Sequence, residues 1–267
     1  MKKTLLILTA IIVLTACDSK KKEYNMAMER LSVAKQLTDD GKWNAAKLQI
    51  DSIHILYAGQ VEVRREAKAL NDSIIYLEAL RTAAYSDSVL QILMPLVDKE
   101  VKQFRYEKSE KYEDHGKYVH RLLSTGNNIN RSFIQAYLTD DFRTIVKCYY
   151  YGKSKLGLES VLFSAGENML RLSGPTHQFE SEGWHEILTL EGDDALSALN
   201  FVATWWQQKN KVTLEGKSQY HFFLSDNERK ALQETWQLAV HMNDSHRLEQ
   251  QLNVANRQIE HFADRHR

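Results

Sequence analysis

Histidine pairs and histidine-carboxylate pairs are the residues of this chain that could bind a metal ion or transfer a proton. His185-Glu186 matches the start of the zinc-binding His-Glu-x-x-His motif, but Thr189 stands where the second histidine is required. Two further pairs are spaced five residues apart: His241 with His246, and His261 with His266. On a helix this spacing turns the side chains about 140 degrees apart, so we expect them to face solvent. The sequence therefore predicts no metal ligands.

Asp114-His115 and the stretch 182–186 could each supply an acid and a base. Both are polar and turn-like, which favours solvated loops over a catalytic cleft. The chain also lacks the Gly-x-Ser-x-Gly nucleophile motif and the phosphate-binding glycine loop. We predict no catalytic residues and no cofactor, and we keep an enzyme with an unfamiliar site as an alternative.

The amino terminus has the order of an export signal. Lys2 and Lys3 precede an apolar core, and the core ends in Leu14-Thr15-Ala16-Cys17. These residues resemble the lipobox of bacterial lipoproteins. The resemblance implies cleavage of residues 1–16 and acylation of Cys17, with 17–24 as a tether. The alternative is an uncleaved membrane anchor, but the thirteen residues 4–16 fall short of the roughly 20 that a spanning helix needs.

This resemblance implies a lipoprotein of the cell envelope, and the layout is similar to that of envelope lipoproteins from Bacteroides-like bacteria. The membrane is then a partner through Cys17. No acidic cluster follows Cys17, which favours the periplasmic face of the outer membrane over the cell surface. If Cys17 carries lipid, Cys148 has no disulfide partner, and its strand-like surroundings predict a buried, unreactive thiol.

Charge and length limit the function classes. The 35 basic and 35 acidic residues give no net charge, which argues against a nucleic-acid partner. About 250 mature residues are enough for one large domain or two modest domains with a real core.

Helical patterns occupy both ends of the chain. Residues 25–106 predict a helical hairpin followed by a long helix, and 30–60 resembles one tetratricopeptide unit. Its packing residues are Ala34, Gly41, Trp43, Ala46, Ile53 and Tyr57. A single copy favours a hairpin over a peptide-binding solenoid. A second long helix over 225–267 begins with the capping box Ser225 to Glu228. The matched lengths predict antiparallel packing of this helix on the amino-terminal helices, and homo-oligomerisation through the same apolar seams is the alternative.

Residues 107–224 predict an antiparallel β domain, because short β-rich runs alternate there with turn signals. A helix over 193–208 interrupts the strands. We expect a small sandwich or a half-open barrel, and hence an α+β fold with helices flanking the β domain.

Aromatic residues are the functional hint in the β domain. Adjacent strand residues Tyr149 and Tyr150 must face opposite sides of a sheet. Exposed aromatic rings stack on sugars or contact partner proteins, which makes five residues ligand-binding candidates: Trp184, Trp205, Trp206, Tyr149 and Tyr151. The alternative is a sheet covered on both faces. The sequence thus predicts a non-catalytic binding or scaffolding lipoprotein with an envelope protein as partner, or else a carrier of glycan, peptidoglycan fragment or lipid.

Overall fold

The fold is taken from a computed structural model, which describes residues 2–108, 114–123, 128 and 130–265, with side chains from Lys20 onward. The side chains of the predicted signal peptide, and that of Cys17, lie outside this part. The chain forms two compact units, residues 1–87 with 250–267, and residues 88–249. Helices flank two antiparallel sheets, which confirms the predicted α+β class. In the described part, no helix combines the length and apolarity needed to cross a membrane.

The first unit is built from helices α1 (Lys2–Asp39), α2 (Trp43–Leu56) and the start of α3 (Val61–Glu100). The predicted hairpin forms: α1 turns at Gly41, whose φ of +72° favours glycine, and α2 returns along it. Its core combines small and large apolar residues from all three helices: Ala27, Leu31, Ala34, Ala46, Ile50, Ile53, Tyr57, Val63, Ala67 and Ile74. Four of the packing residues of the tetratricopeptide pattern, Ala34, Ala46, Ile53 and Tyr57, therefore belong to a three-helix core, and Trp43 packs against it.

The final helix α5 (Asp226–Arg265) contacts α3 within each unit. In the first unit, Phe262 stacks on Tyr76 at 4.4 Å between ring centroids. In the second unit, His241 Nδ1 lies 2.9 Å from a carboxylate oxygen of Glu100. The helix α3 runs unbroken through Ser86-Asp87-Ser88 and Pro95, although the serines are typical of a helix restart.

The second unit contains a six-stranded and a four-stranded antiparallel sheet. The strands of the first, in spatial order, are β1 (Phe104–Glu107), β2 (Lys117–His120), β3 (Phe133–Thr139), β4 (Thr144–Gly152), β8 (Trp184–Glu191) and β7 (Thr176–Glu180). The second sheet follows the order β10 (Gln219–Phe223), β9 (Lys211–Glu215), β5 (Ser160–Ala165) and β6 (Asn168–Ser173). The edge strands β1 and β7 had no counterpart in the sequence pattern, because their side chains are mostly exposed and carry little apolar periodicity.

One apolar core joins the two sheets and the helix α4 (Gly192–Thr204). Val146, Cys148 and Leu188 from the six-stranded sheet share this core with Phe163 and Val212 from the four-stranded sheet. The helix α4 ends at Thr204, before the predicted limit of 208, and Asp193 and Asp194 lie inside its first turn. Because α4 packs on this core, the facing side of the six-stranded sheet is covered. We call this side the inner face and the opposite side the outer face.

Candidate binding face of the six-stranded sheet

The strand register assigns each side chain of the six-stranded sheet to one face. Tyr150 points inward, where it is buried and makes an edge contact with Tyr220 at 5.5 Å. Tyr149 and Tyr151, one residue away on either side, lie on the outer face. The prediction that Tyr149 and Tyr150 face opposite sides is confirmed.

An aromatic cluster occupies one end of the outer face. Cross-strand pairing places Tyr151 opposite His185, and His185 opposite Phe179. The His185 ring stacks on Phe179 at 4.7 Å and lies 4.9 Å from Tyr151. The Tyr151 hydroxyl donates to the carbonyl oxygen of Glu182 at 3.1 Å, which fixes the ring against the β7–β8 turn. Phe179 is 44% exposed, so this end of the face presents an aromatic surface to solvent.

Tyr149 lies two residues before Tyr151 on β4, in the next row of cross-strand neighbours on the outer face, and its ring is less accessible to solvent. Its ring stacks on Phe133 at 4.4 Å with an angle of 3° between the ring planes. Its hydroxyl donates to Gln135 Oε1 at 3.2 Å, and burial raises the pKa of the phenol. Tyr149 thus supports the outer face and exposes only part of its ring.

A pocket of about 220 Å³ opens at the other end of the outer face. Its lining comes from β2, β3, β4 and the adjoining turns: Asp114, His115, Lys117, Tyr137, Thr139, Arg143 and Ile145. The ammonium groups of Lys117 and Lys147 lie 5.8 and 5.7 Å from the centroid of the Tyr137 ring. The pocket therefore combines an aromatic ring with basic and acidic groups, a combination that suits a polar ligand or a polar side chain.

His115, Asp140 and Asp141 contact one another at the rim of this pocket. Asp140 accepts hydrogen bonds from the Gly116 amide at 2.9 Å and from the Tyr106 hydroxyl at 2.8 Å. These bonds lower the pKa of the Asp140 carboxyl, and the bond from Tyr106 raises the pKa of that phenol. A Cβ at position 116 would lie 2.1 Å from the Tyr106 hydroxyl oxygen, so a larger residue there would displace the exposed Tyr106 ring and its hydrogen bond to Asp140.

The same rim brings together three side chains of the kinds that bind metal ions. His115, Asp140 and Asp141 each offer one ligand atom, and within the described residues these atoms lie within 4.8 Å of one another. However, Arg143 Nε donates to Asp141 Oδ2 at 2.8 Å, which places a positive group on one of the prospective ligands. The Asp140 carboxylate is also occupied by Gly116 and Tyr106. The hydrogen bonds of Asp140 connect the turn before β2 with the turn between β3 and β4. Together with the bond from Arg143, they explain the positions of the three side chains better than a bound metal ion does.

The predicted ligand residues do not converge on this face. Trp184 and Trp205 are partly buried and pack against the apolar core. Trp206 is exposed just beyond α4, where its carbonyl oxygen accepts from Arg229 Nε at 2.9 Å. Of the five candidates, only Tyr149 and Tyr151 lie on the outer face, and they lie in neighbouring rows.

Two expectations about polar residues are wrong. Glu186 is buried in β8, where its carboxylate accepts backbone hydrogen bonds from Leu156, Gly157 and Leu158, at 2.5, 3.0 and 2.6 Å. His241 and His246 do not simply face solvent, because His241 contacts Glu100 and His246 stacks on Phe142 at 4.1 Å. His261 is exposed as expected, and His266 lies outside the described residues.

Tyr137, Lys117, Arg143 and Phe179 were missed as members of this face. The odd-numbered positions of β3 and β4 already place Tyr137, Tyr149 and Tyr151 on one side of their strands. Their neighbours follow only from the strand pairing, which the sequence does not give.

No family model, no curated protein and no solved structure matches the chain.

Proposed function

We propose that the protein is a lipid-anchored, non-catalytic binding or scaffolding component of the cell envelope, and that the outer face of its six-stranded sheet contacts a protein partner. The observation that carries the proposal is the aromatic cluster of Tyr151, His185 and Phe179. An exposed, stacked group of rings on a rigid sheet offers a large contact area without ordering flexible side chains. The anchor is inferred from the lipobox at Cys17, which would concentrate the protein at one membrane.

The pocket beside Tyr137 supports a second reading, in which the ligand is a glycan or a peptidoglycan fragment. Its volume of about 220 Å³ is below the several hundred Å³ usual for drug-sized ligands. It suits one sugar unit or one polar side chain better than a lipid chain. The mixture of Lys117, Arg143 and Asp114 fits hydroxyl and charged groups.

Site-specific photocrosslinking in the native envelope tests the protein-partner proposal. A crosslinking amino acid at Phe179 should capture a defined protein, whereas one at Met169 should not. Met169 is a matched control because it is also an exposed apolar residue on an edge strand, but on the four-stranded sheet. Copurification of a glycan in place of a protein would favour the second reading. Equal capture of unrelated proteins from both positions would overturn the proposal.

The anchor is tested separately with the Cys17→Ser chain. Metabolic labelling with a radioactive fatty acid should label the native chain and not the Cys17→Ser chain. Labelling of both chains, or of neither, would contradict acylation at Cys17.

A further inference from the structure

The turn between α2 and α3 lies beside Lys20 of α1, where the described side chains begin. The Gln60 side-chain nitrogen is 3.5 Å from the carbonyl oxygen of Lys20. Farther along the same pair of helices, Arg30 donates to Gln49 Oε1 at 3.0 Å. Both contacts fit one antiparallel register of α1 and α2, so residues 20–24 and 55–65 form one end of the first unit. We call this end the hairpin tip.

The hairpin tip exposes several large apolar side chains. Ile55 is 77% exposed, and Leu56 and Val61 are each 60% exposed. On the same helix, Ile50 and Ile53 face the three-helix core and are fully buried. The apolar residues of the tip are therefore additional to those that the fold of the unit requires.

The hairpin tip is also basic, in a chain without net charge. Within 20–24 and 55–65 it carries five basic residues and two acidic ones: Lys20, Lys21, Lys22, Arg64 and Arg65 against Glu23 and Glu62. The three lysines are exposed. Exposed apolar groups beside clustered lysines and arginines are the combination that binds the surface of an anionic membrane.

We propose that the hairpin tip lies against the surface of the anchoring membrane, with Ile55, Leu56 and Val61 among the lipid headgroups and Lys20–Lys22 against anionic lipid. This inference rests on the proposed anchoring at Cys17. Only Asp18 and Ser19 separate Cys17 from Lys20, and the three residue steps between them span at most about 11 Å, so an acylated Cys17 holds the tip at the bilayer surface. The first unit then stands on the membrane through two contacts, the acyl chains and the tip.

Spin-label depth measurements test this placement in the lipidated full chain. The chain is reconstituted into vesicles of phosphatidylethanolamine and phosphatidylglycerol, with a label at Leu56→Cys or at Leu48→Cys. Leu48 is the matched control because it is an equally exposed leucine on α2, about 12 Å farther along the helix axis. The label at 56 should collide more with oxygen than with a water-soluble nickel chelate, and the label at 48 should show the reverse. Equal aqueous accessibility at both positions would overturn the placement.

Vesicle flotation with a Cys17→Ser chain that is expressed without residues 1–16, and so lacks the apolar signal segment, separates this inference from the anchor. Without acyl chains, the tip should still give weak binding to phosphatidylglycerol vesicles that salt abolishes. In this background Leu56→Glu should reduce binding about tenfold, and Leu48→Glu less than about twofold. Equal effects of the two substitutions would contradict the tip contact even if Cys17 is acylated. Failure of the native chain to float better than Cys17→Ser would contradict the anchor alone.

Discussion

His120 Nε2 lies 2.7 Å from a carboxylate oxygen of Glu234, and this contact joins β2 to α5. His120 Nδ1 accepts a hydrogen bond from the Leu122 amide at 3.2 Å, so Nε2 carries the proton and donates to Glu234. The imidazole is 3% exposed and packs edge-on against Phe104. Burial lowers the pKa of His120 below its ordinary value of 6.5, although the bond to Glu234 opposes this shift.

The first prediction concerns the pH dependence of stability. Because the pKa of His120 is lower in the folded chain than in the unfolded chain, the unfolded chain binds the proton first. The stabilisation is complete above the unfolded pKa of 6.5 and is lost as the pH falls from there through the folded pKa. We expect the melting temperature to fall over this range in thermal denaturation followed by circular dichroism.

His120→Gln is the comparison for this prediction. Glutamine can still donate a hydrogen bond to Glu234 but does not titrate. The melting temperature of the variant should depend less steeply on pH between neutrality and about pH 5 than that of the native chain. An unchanged slope would assign the dependence to other groups.

The second prediction concerns the buried carboxylate of Glu186. In Glu186→Gln, one acceptor oxygen becomes an N–H group that faces backbone N–H groups of the 156–158 segment. We expect a loss of about 2–4 kcal/mol in the free energy of unfolding, measured by urea denaturation. The matched control is Glu180→Gln on the exposed strand β7, which should change stability by less than about 0.5 kcal/mol. Similar small effects of both substitutions would show that Glu186 does not hold the segment.

The third prediction concerns the start of α5. The Ser225 hydroxyl accepts from the Glu228 amide at 3.3 Å, and the Glu228 carboxylate accepts from the Ser225 amide at 2.8 Å. The predicted capping box is therefore confirmed. Ser225→Ala should lower the free energy of unfolding by about 1 kcal/mol in chemical denaturation. Ser218→Ala, in an exposed turn before β10, should have almost no effect, and equal effects would argue against the cap.

The fourth prediction concerns the reactivity of Cys148. The thiol is fully buried, and burial raises its pKa, so little thiolate forms at neutral pH. We expect no modification of Cys148 by a maleimide in the folded chain and complete modification in urea, as measured by intact mass. Fast modification under native conditions would show that the 144–152 strand opens readily.

Local patterns in the sequence were sufficient for most of the elements. Gly41 and Gly59 are residues that do not continue a helix well, so they indicate two helix breaks. The helix α2 (Trp43–Leu56) lies between them. The inserted helix before Trp205 and most inner strands also follow from apolar periodicity. The edge strand β7 was not predicted. All five of its residues are exposed, so its sequence lacks the alternation of apolar and polar residues that half-buried strands show.

The outer face could be predicted only in part. Alternation along β4 separates Tyr149 and Tyr151 from Tyr150 without any tertiary information. The pairing of Tyr151 with His185 and Phe179 depends on a strand register between segments about 30 residues apart, which no local pattern encodes. The tryptophans were overvalued as ligand residues because large aromatic side chains are equally suited to fill a core, which is where Trp184 and Trp205 pack.

The sequence by itself determined the lipobox expectation at Cys17, the α+β class, the two helix turns and the capping box at Ser225, because each depends on neighbouring residues. The tertiary structure decided which polar groups are buried and which rings meet. Glu186 has a polar local sequence, and only the folding of the 156–158 segment over β8 supplies its three donors. The hairpin tip likewise depends on the tertiary structure. The antiparallel packing of α2 on α1 places Leu56 and Val61 near the lysines that follow Cys17.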